Sequence, residues 1–218
     1  MYSTRFKNIS TAIRPLALVI AGLLVGGCGG GTMFALKDAG HQIKPTSVSV
    51  ITGGSEEADL KLAEYLTKEL KERTTLQVVE QSDVSKAIPS YPLTIKSVEE
   101  RDGEVAWVDP SEKPKLDKIQ TKLKTNYMFV IWSKGLTKTT TCSNQGGCTN
   151  TYSTNVYGNM LEYPAGKIVS HTAFNKRNSD SFLQLFRPKG YYVDELLKNS
   201  AEDIVDEFIK VTNTGKKK

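Results

Sequence analysis

The sequence predicts an α/β (α+β) protein in which helices flank a mixed β-sheet that carries a long hairpin. Three observations lead to this fold class. β-Branched segments alternate with amphipathic segments in the first half, a polar meander of strands follows, and the chain ends in a long amphipathic segment. The 218 residues, 39% of them hydrophobic and 24% charged, have the composition of a globular protein.

The first half alternates strands and helices. Residues 48–52 and 76–80 predict two short strands. Between them apolar residues recur at helical spacing, which predicts a helix with one face against a sheet. These residues are Leu62, Ala63, Leu66 and Leu70. A short helix over 83–88 follows and ends at Pro89.

The middle of the chain predicts a two-stranded excursion, a helix and a central strand. Residues 93–99 and 104–108 form the excursion, and residues 115–124 form a helix with lysines on its outer face. Such a lysine face is usually solvated, and an anionic partner is the alternative. Residues 127–132 are apolar at every position, as in a strand covered on both faces.

The last third predicts a hairpin, a strand and a helix. Residues 137–157 are rich in Thr, Ser and Asn and predict a long hairpin without an apolar stripe, which we expect to stay in water. Residues 167–174 predict a further strand. Apolar residues over 193–209 follow helical spacing throughout and predict the clearest helix of the chain.

Residues 1–27 have the features of an export signal. A basic start with Arg5, Lys7 and Arg14 precedes a ten-residue apolar run at 16–25 and a pair of glycines. A run of ten is shorter than the roughly 20 residues that a transmembrane helix needs. Removal of this segment takes three charges from the net charge of +5 and leaves +2, so charge does not indicate a nucleic-acid partner.

The letters "LVGGC" at residues 24–28 resemble the lipobox of bacterial lipoproteins. The resemblance implies that Cys28 takes a diacylglyceryl group and becomes the new N-terminus, held on a membrane by its acyl chains. Gly29, where an aspartate signals retention at the inner membrane, implies the outer membrane with the domain facing the periplasm. Exposure on the cell surface stays open, and an ordinary secreted protein with a chance cysteine is the alternative.

The remaining cysteines, Cys142 and Cys148, predict a disulfide because an oxidising periplasm favours pairing of an even number. Two free thiols are the alternative, and a metal site is disfavoured because no His or third Cys lies nearby. The domain organisation we expect is a signal peptide at 1–27, a lipidated cysteine with a flexible leash over 28–46, a single domain over 47–212 and a disordered basic tail over 213–218.

The order of elements resembles periplasmic domains related to the curli secretion lipoprotein, the penicillin-binding-protein activator lipoproteins and the N-terminal domain of the Tol translocation protein. The resemblance rests on "LAEYLTKELKER", "LQVVEQSDVSKAI", "KLKTNYMFVIWSKG", "LEYPAGKIV" and the final helix. The chain departs from those families at Gln81, Asn126 and Ala165. The resemblance implies a role in assembling or activating an envelope machine, such as a secretion apparatus or a peptidoglycan synthase.

The sequence offers little for catalysis. His41 lies in the expected leash and His171 lies in mid-strand, where a structural role is common. No nucleophile elbow, phosphate loop or zinc spacing occurs, and the acids lie on exposed helix faces or at helix starts, as Asp59 does. We therefore expect no enzyme activity, no catalytic residue, no metal and no cofactor.

A partner surface is expected at residues 181–192, which combine aromatic, aliphatic and arginine side chains. The candidate residues are Phe182, Leu185, Phe186, Arg187, Tyr191 and Tyr192. Packing of this segment on the sheet edge or the last helix is the alternative. The disulfide-tipped hairpin is a second candidate surface.

These features predict a lipoprotein that acts without catalysis by binding envelope proteins or cell-wall components, with the membrane contacted through the N-terminal lipid. A structural subunit of an oligomeric secretion complex is the first alternative, so self-association stays open. An envelope hydrolase with an unrecognised site is the second alternative.

Overall fold

A computed structural model describes residues 31–38, 40–100, 104–144, 147–179 and 190–216. The elements, in chain order, are β1 (Gly31–Leu36), β2 (Ser47–Thr52), α1 (Glu57–Arg73), β3 (Gln77–Val78), α2 (Gln81–Ala87), β4 (Ser97–Glu100), β5 (Val105–Val108), α3 (Lys113–Leu123), β6 (Tyr127–Cys142), β7 (Cys148–Glu162), β8 (Lys167–Ser179) and α4 (Tyr191–Thr212).

One six-stranded sheet organises the molecule, in the order β1-β8-β7-β6-β2-β3, and β4 and β5 form a separate pair. The pairs from β1 to β6 are antiparallel, whereas β6, β2 and β3 run parallel. The α/β fold class with a mixed sheet is thus confirmed, and so is the long hairpin, formed by β6 and β7.

Helices α1 and α4 cover one face of the sheet. Their apolar residues form a single cluster with alternate residues of the strands. Three aromatic rings lie at its centre, where Phe34 of β1 and Phe129 of β6 each contact Phe208 of α4, with centroid distances of 5.5 and 5.7 Å. Burial of three such rings contributes several kcal/mol by apolar area alone.

The β4–β5 pair and helices α2 and α3 cover the other face of the sheet. Val84, Leu116 and Val108 from these elements pack against Ile51 and Met128 of the sheet. Residues 127–132 of β6 are all buried, because odd-numbered side chains enter the first cluster and even-numbered ones enter the second. The predicted central strand is therefore confirmed, and the architecture has three layers.

A flexible leash over residues 28–46 is the expectation from the sequence, and the structure differs from it. Residues Gly31–Leu36 form an edge strand that pairs with β8, and Phe34 is buried. A glycine is required where this strand begins, since a Cβ on Gly31 would lie 2.5 Å from the carbonyl oxygen of Ala173. The pairing partner lies about 140 residues further along the chain, so local sequence gives little sign of it.

The basic tail expected to be disordered from residue 213 is ordered through residue 216. Gly215 forms an isolated antiparallel bridge with Thr74, and the Lys216 amide donates to the Arg73 carbonyl at 2.9 Å. These backbone hydrogen bonds explain why residues 213–216 follow the end of α1. Within the described parts of the chain, no helix is long and apolar enough to cross a membrane.

Candidate interaction surface on a β-arm

Strands β6 and β7 extend well beyond the body of the protein. Strand β2 covers the outer edge of β6 only as far as Ile131, which pairs with Thr52. Beyond Trp132 the side chains of β6 change from buried to exposed and stay so to Cys142. We call residues 134–142, 148–155 and 175–179, from three adjacent strands, the arm.

A buried carboxylate fixes the point at which the arm leaves the body. Asp59, 2% exposed, accepts hydrogen bonds from the backbone N–H and the hydroxyl of Ser133 at 2.7 and 2.9 Å. The same side chain accepts from the Glu56 backbone N–H at 3.1 Å and completes a capping box at the start of α1. One side chain thus joins the helix start to the base of the arm.

A bulge lies directly after this point. The register between β6 and β7 shifts between Lys134 and Thr137, and Gly135 takes a φ of +71° that favours glycine. The hydroxyl of Thr154 donates to the carbonyl oxygen of Lys134 at 3.3 Å, which satisfies one backbone group that the bulge leaves unpaired. The bulge turns the remainder of β6 without ending its pairing with β7.

One face of the arm consists of polar side chains in register across the three strands. Residues directly opposite one another share a face, so the pairing assigns its members. We call this set the polar face: Lys134, Thr137, Thr139, Thr141, Thr149, Thr151, Ser153, Asn155, Asn175, Arg177 and Ser179. The set contains neither an apolar nor an acidic side chain.

Hydrogen bonds across the strands order this polar face. Thr137 contacts Ser153 at 2.8 Å, and Thr151 contacts Ser179 at 3.1 Å. The Asn175 amide also accepts from Arg177 Nε at 2.9 Å. A β-sheet whose hydroxyl and amide groups are already oriented loses little side-chain entropy when a polar ligand replaces water.

The opposite face of the arm is braced by α4. Tyr152 stacks on Tyr192 with a centroid distance of 5.5 Å and an interplanar angle of 9°. Lys176 pairs with Asp203, and the Asn178 amide donates to Glu195 at 2.9 Å. These contacts hold the base of the arm on the side opposite the polar face.

The predicted disulfide closes the end of the arm. Cys142 and Cys148 are opposite residues in the register of β6 and β7, and their sulfur atoms are bonded. The cross-link connects the last described pair of the hairpin. Fraying from the tip is therefore restricted to the short turn between the two cysteines.

A cavity of about 480 Å³ lies where the polar face meets the body. Asn155, Asn175 and His171 line it together with Gly31. Burial lowers the pKa of His171 below its usual value of 6.5, and the ring lies 5.2 Å from that of Trp107. Its Nδ1 has no hydrogen-bond partner among the described residues.

The lysine face of α3 borders a second depression of about 520 Å³, next to Ile88 and Leu93. Lys115 donates to the carbonyl oxygen of Thr94 at 2.7 Å, and Lys122 donates to that of Ala87 at 3.1 Å. Lys122 thus joins α3 to the end of α2, and Lys115 joins it to the loop before β4, so both lysines have a structural role.

The described residues include both histidines and the buried carboxylate of Asp59. No three His, Cys, Asp or Glu side chains approach one another closely enough to hold a metal ion there. His41 Nε2 lies 3.3 Å from a carboxylate oxygen of Glu162, at the end of the sheet away from the arm. The sequence predicts that Asp59 is exposed or lies at a helix start. In the structure it is buried and has a structural role as a hydrogen-bond acceptor.

The partner segment predicted at 181–192 lies mostly outside the described residues, as do Cys28, Phe182, Leu185, Phe186 and Arg187. Only two of its candidates are described. Tyr192 is buried at 7% exposure in its stack on Tyr152, which leaves it little surface for a partner. Tyr191 is half-buried, and its hydroxyl donates to Glu195 at 3.3 Å.

The polar face was not apparent from the sequence. The excess of Thr, Ser and Asn predicts a hairpin. It does not show which side chains share a face, because the bulge shifts the alternation of β6 after Lys134. The contribution of β8, residues 175–179, depends on long-range pairing. The sequence does indicate that the hairpin lacks acidic side chains, because no Asp or Glu occurs between Asp117 and Glu162.

Two of the departures from the resembled families have structural roles. The Gln81 amide donates to the Val50 carbonyl at 2.9 Å and to the Thr67 hydroxyl at 2.7 Å. Asn126 accepts from the Ser47 backbone N–H at 2.7 Å, which aligns the start of β2 with β6. Both side chains position the parallel strands.

No family model and no curated protein matches the chain. Among solved structures it is similar to a PelC dodecamer from Paraburkholderia phytofirmans, with 8% sequence identity, a TM-score of 0.42, and coverage of 78% of this chain and 97% of that chain. It is also similar to the lipoprotein GNA1162 from Neisseria meningitidis, with 10% identity, a TM-score of 0.45, and coverage of 76% and 99%. Similarity of this degree says nothing about what the chain binds.

Proposed function

We propose that this chain is a lipid-anchored protein of the bacterial outer membrane that faces the periplasm and acts by binding, without catalysis. The lipobox-like residues at 24–28 support the anchor. The observation that carries the binding role is the polar face: an ordered polar β-surface on an arm that the core does not require.

The chemistry of the polar face selects the kind of partner. Hydroxyl and amide groups both donate and accept hydrogen bonds, and Arg177 adds positive charge to that face, whereas Lys134 forms an ion pair with Glu99 of β4. The partner we propose is therefore polar and neutral or anionic, either a cell-wall component or a polar surface of an envelope protein. An anchor also raises the local concentration, so a weak surface of this kind is sufficient.

Site-specific photocrosslinking in intact cells tests this proposal. A photoreactive residue at Thr139 lies on the polar face, and one at Thr140 lies on the opposite face of the same strand, so the two positions are a matched pair. We expect a defined adduct from Thr139 at several times the yield from Thr140. Digestion of the cell wall before electrophoresis distinguishes a cell-wall partner, whose adduct then shrinks, from a protein partner.

Substitution on the same two positions provides the control for folding. Thr139→Glu places a carboxylate on the polar face, and Thr140→Glu places one on the braced face. We expect the first to reduce the adduct formed from a probe at Thr151 at least several-fold and the second to leave it unchanged. Equal yields from both variants would contradict a role for the polar face.

A structural subunit of an oligomeric complex is the second candidate, and the outer edge of β6 favours it. No strand in the described part of the chain pairs with that edge from Ser133 to Cys142. Unpaired backbone groups of this kind accept a strand from another chain, although the bulge and Lys138 oppose such pairing. A defined multimer in a size measurement of the detergent-solubilised protein would decide for this candidate.

A further inference from the structure

The short distance from the anchor to the sheet restricts how the domain sits on the membrane. Gly31 already pairs with Phe174, and only three residue steps separate it from Cys28. Three steps of extended chain span at most about 11 Å. If Cys28 carries the lipid, as proposed above, Gly31 cannot move further than this from the bilayer surface.

Gly31 lies near the middle of the long strands. It is level with Phe174, which pairs with Val156, which in turn pairs with Ser133. From Val156 the arm runs eight residue steps to Cys148, about 26 Å. In the other direction β8 runs seven steps from Phe174 to Lys167, about 23 Å.

This central attachment limits the inclination of the strands. The inclination is the angle between the strands and the plane of the bilayer. Above about 25° the arm end of the sheet reaches the headgroups. Above about 40° that end has passed through a headgroup layer of roughly 6 Å and enters the hydrocarbon. The arm cannot enter, because its charged and hydroxyl side chains and its unpaired strand edge have no water there. The inclination of the strands toward the arm end is therefore at most about 40° from the plane of the bilayer.

The strand that carries the anchor is also the outermost strand of the sheet, so its edge faces the lipid. We call residues 31–38 and 167–179 the β1–β8 edge. Its charged side chains are Lys37, Asp38, Lys167, Lys176 and Arg177. Lys176 also pairs with Asp203 of α4, so the net charge with Asp203 included is +2. A basic edge adjacent to the anchor is complementary to the phosphate groups of anionic lipids.

We propose that the β1–β8 edge is a membrane-contact surface that binds the phosphate-bearing headgroups of anionic phospholipids. The sheet then stands on this edge, and the arm projects sideways above the membrane. The uncovered edge of β6 points away from the lipid. This orientation presents the polar face to partners that lie beside the protein in the periplasm.

The test uses the full lipidated chain in vesicles of phosphatidylethanolamine and phosphatidylglycerol. Photoreactive residues replace Lys167 and Ser179 at the two ends of β8, and Lys86 of α2, on the opposite side of the sheet, serves as the control. We expect lipid adducts at both ends of β8 in yields within about threefold, and at least tenfold less at Lys86.

A variant with a flexible Gly-Ser insertion between Cys28 and Gly31 separates tethering from contact. We expect the insertion to lower both β8 adducts several-fold, and vesicles of phosphatidylcholine alone to lower them as well. Adducts at one end of β8 only, or at Lys86, would overturn the orientation. The intact mass is measured in parallel: an acylated chain with misplaced adducts refutes this inference alone, whereas a chain without acyl groups refutes the anchor itself.

Discussion

Asp59 shows how one residue serves a different purpose from the one that its neighbourhood in the sequence suggests. Beside Glu56 and Glu57 it has the pattern of an acidic helix start, where the helix dipole favours negative charge. In the fold it also accepts two hydrogen bonds from Ser133, 74 residues away. Sequence predicts the capping role, whereas the link to the arm depends on tertiary structure.

Asp59→Ala is expected to destabilise the protein by about 2 kcal/mol, because it leaves the partly buried donors of Ser133 without their charged acceptor. The measurement is chemical denaturation. Glu57→Ala, at a side chain 83% exposed, is the control and should change the free energy of unfolding by less than about 0.5 kcal/mol. Equal effects of the two substitutions would show that Asp59 contributes only through the helix dipole.

His171 makes stability depend on pH. Burial lowers its pKa in the folded state below the value of 6.5 that it has in the unfolded chain, so the unfolded chain binds more protons as the pH falls through 6.5. We therefore expect the contribution of this residue to be fully present above pH 6.5 and to decline below it. Urea denaturation from pH 8 to pH 5 measures the decline.

The His171→Gln variant is the matched comparison, because its side chain does not titrate. The difference in free energy of unfolding between wild type and this variant should shrink between pH 7 and pH 5. A difference that stays constant over this range would mean that the imidazole has the same pKa in both states.

Among the elements, those with a strong periodic pattern are predicted well from sequence. Helix α4 and the all-apolar start of β6 are clear because burial on one face or on both leaves a local signature. Strand β1 is missed because it begins in a glycine run and is fixed by pairing with β8. The arm is predicted as a hairpin. The addition of β8 as its third strand, and which side chains share a face, depend on the register of strand pairing.

Removal of the disulfide should loosen the arm and leave the body intact. In the chain-entropy model a loop this short contributes about 2 kcal/mol, which corresponds to a roughly 30-fold change in a local opening equilibrium. In a Cys142→Ser, Cys148→Ser variant we expect amide exchange to accelerate by about this factor at residues 139–151.

The amides of residues 127–131 are the internal reference for this experiment, because they lie in the buried part of β6 between two covered faces. Their exchange should not change in the double variant. Faster exchange throughout the sheet would show instead that the disulfide stabilises the whole domain, and unchanged exchange in the arm would show that the polar face is ordered without it.

At the scale of the whole molecule, the fold class is predictable from the sequence, whereas the membrane orientation proposed above rests on the pairing of β1 with β8. The alternation of patterns is sufficient to predict a covered mixed sheet. The length of the leash is not predictable, because the order of residues 31–36 depends on contacts with β8 and with Phe208. The expected leash extends to residue 46, whereas only three residue steps separate Cys28 from the paired residue Gly31.

The account depends most on acylation of Cys28, since both the raised local concentration at the arm and the orientation on the β1–β8 edge require it. The direct measurement is mass spectrometry of the mature N-terminus, on protein taken from the membrane fraction of the native cell type. The account predicts a chain that begins at Cys28 and carries acyl groups on it. An unprocessed chain that begins at Met1, without fatty acid and in the soluble fraction, would contradict it.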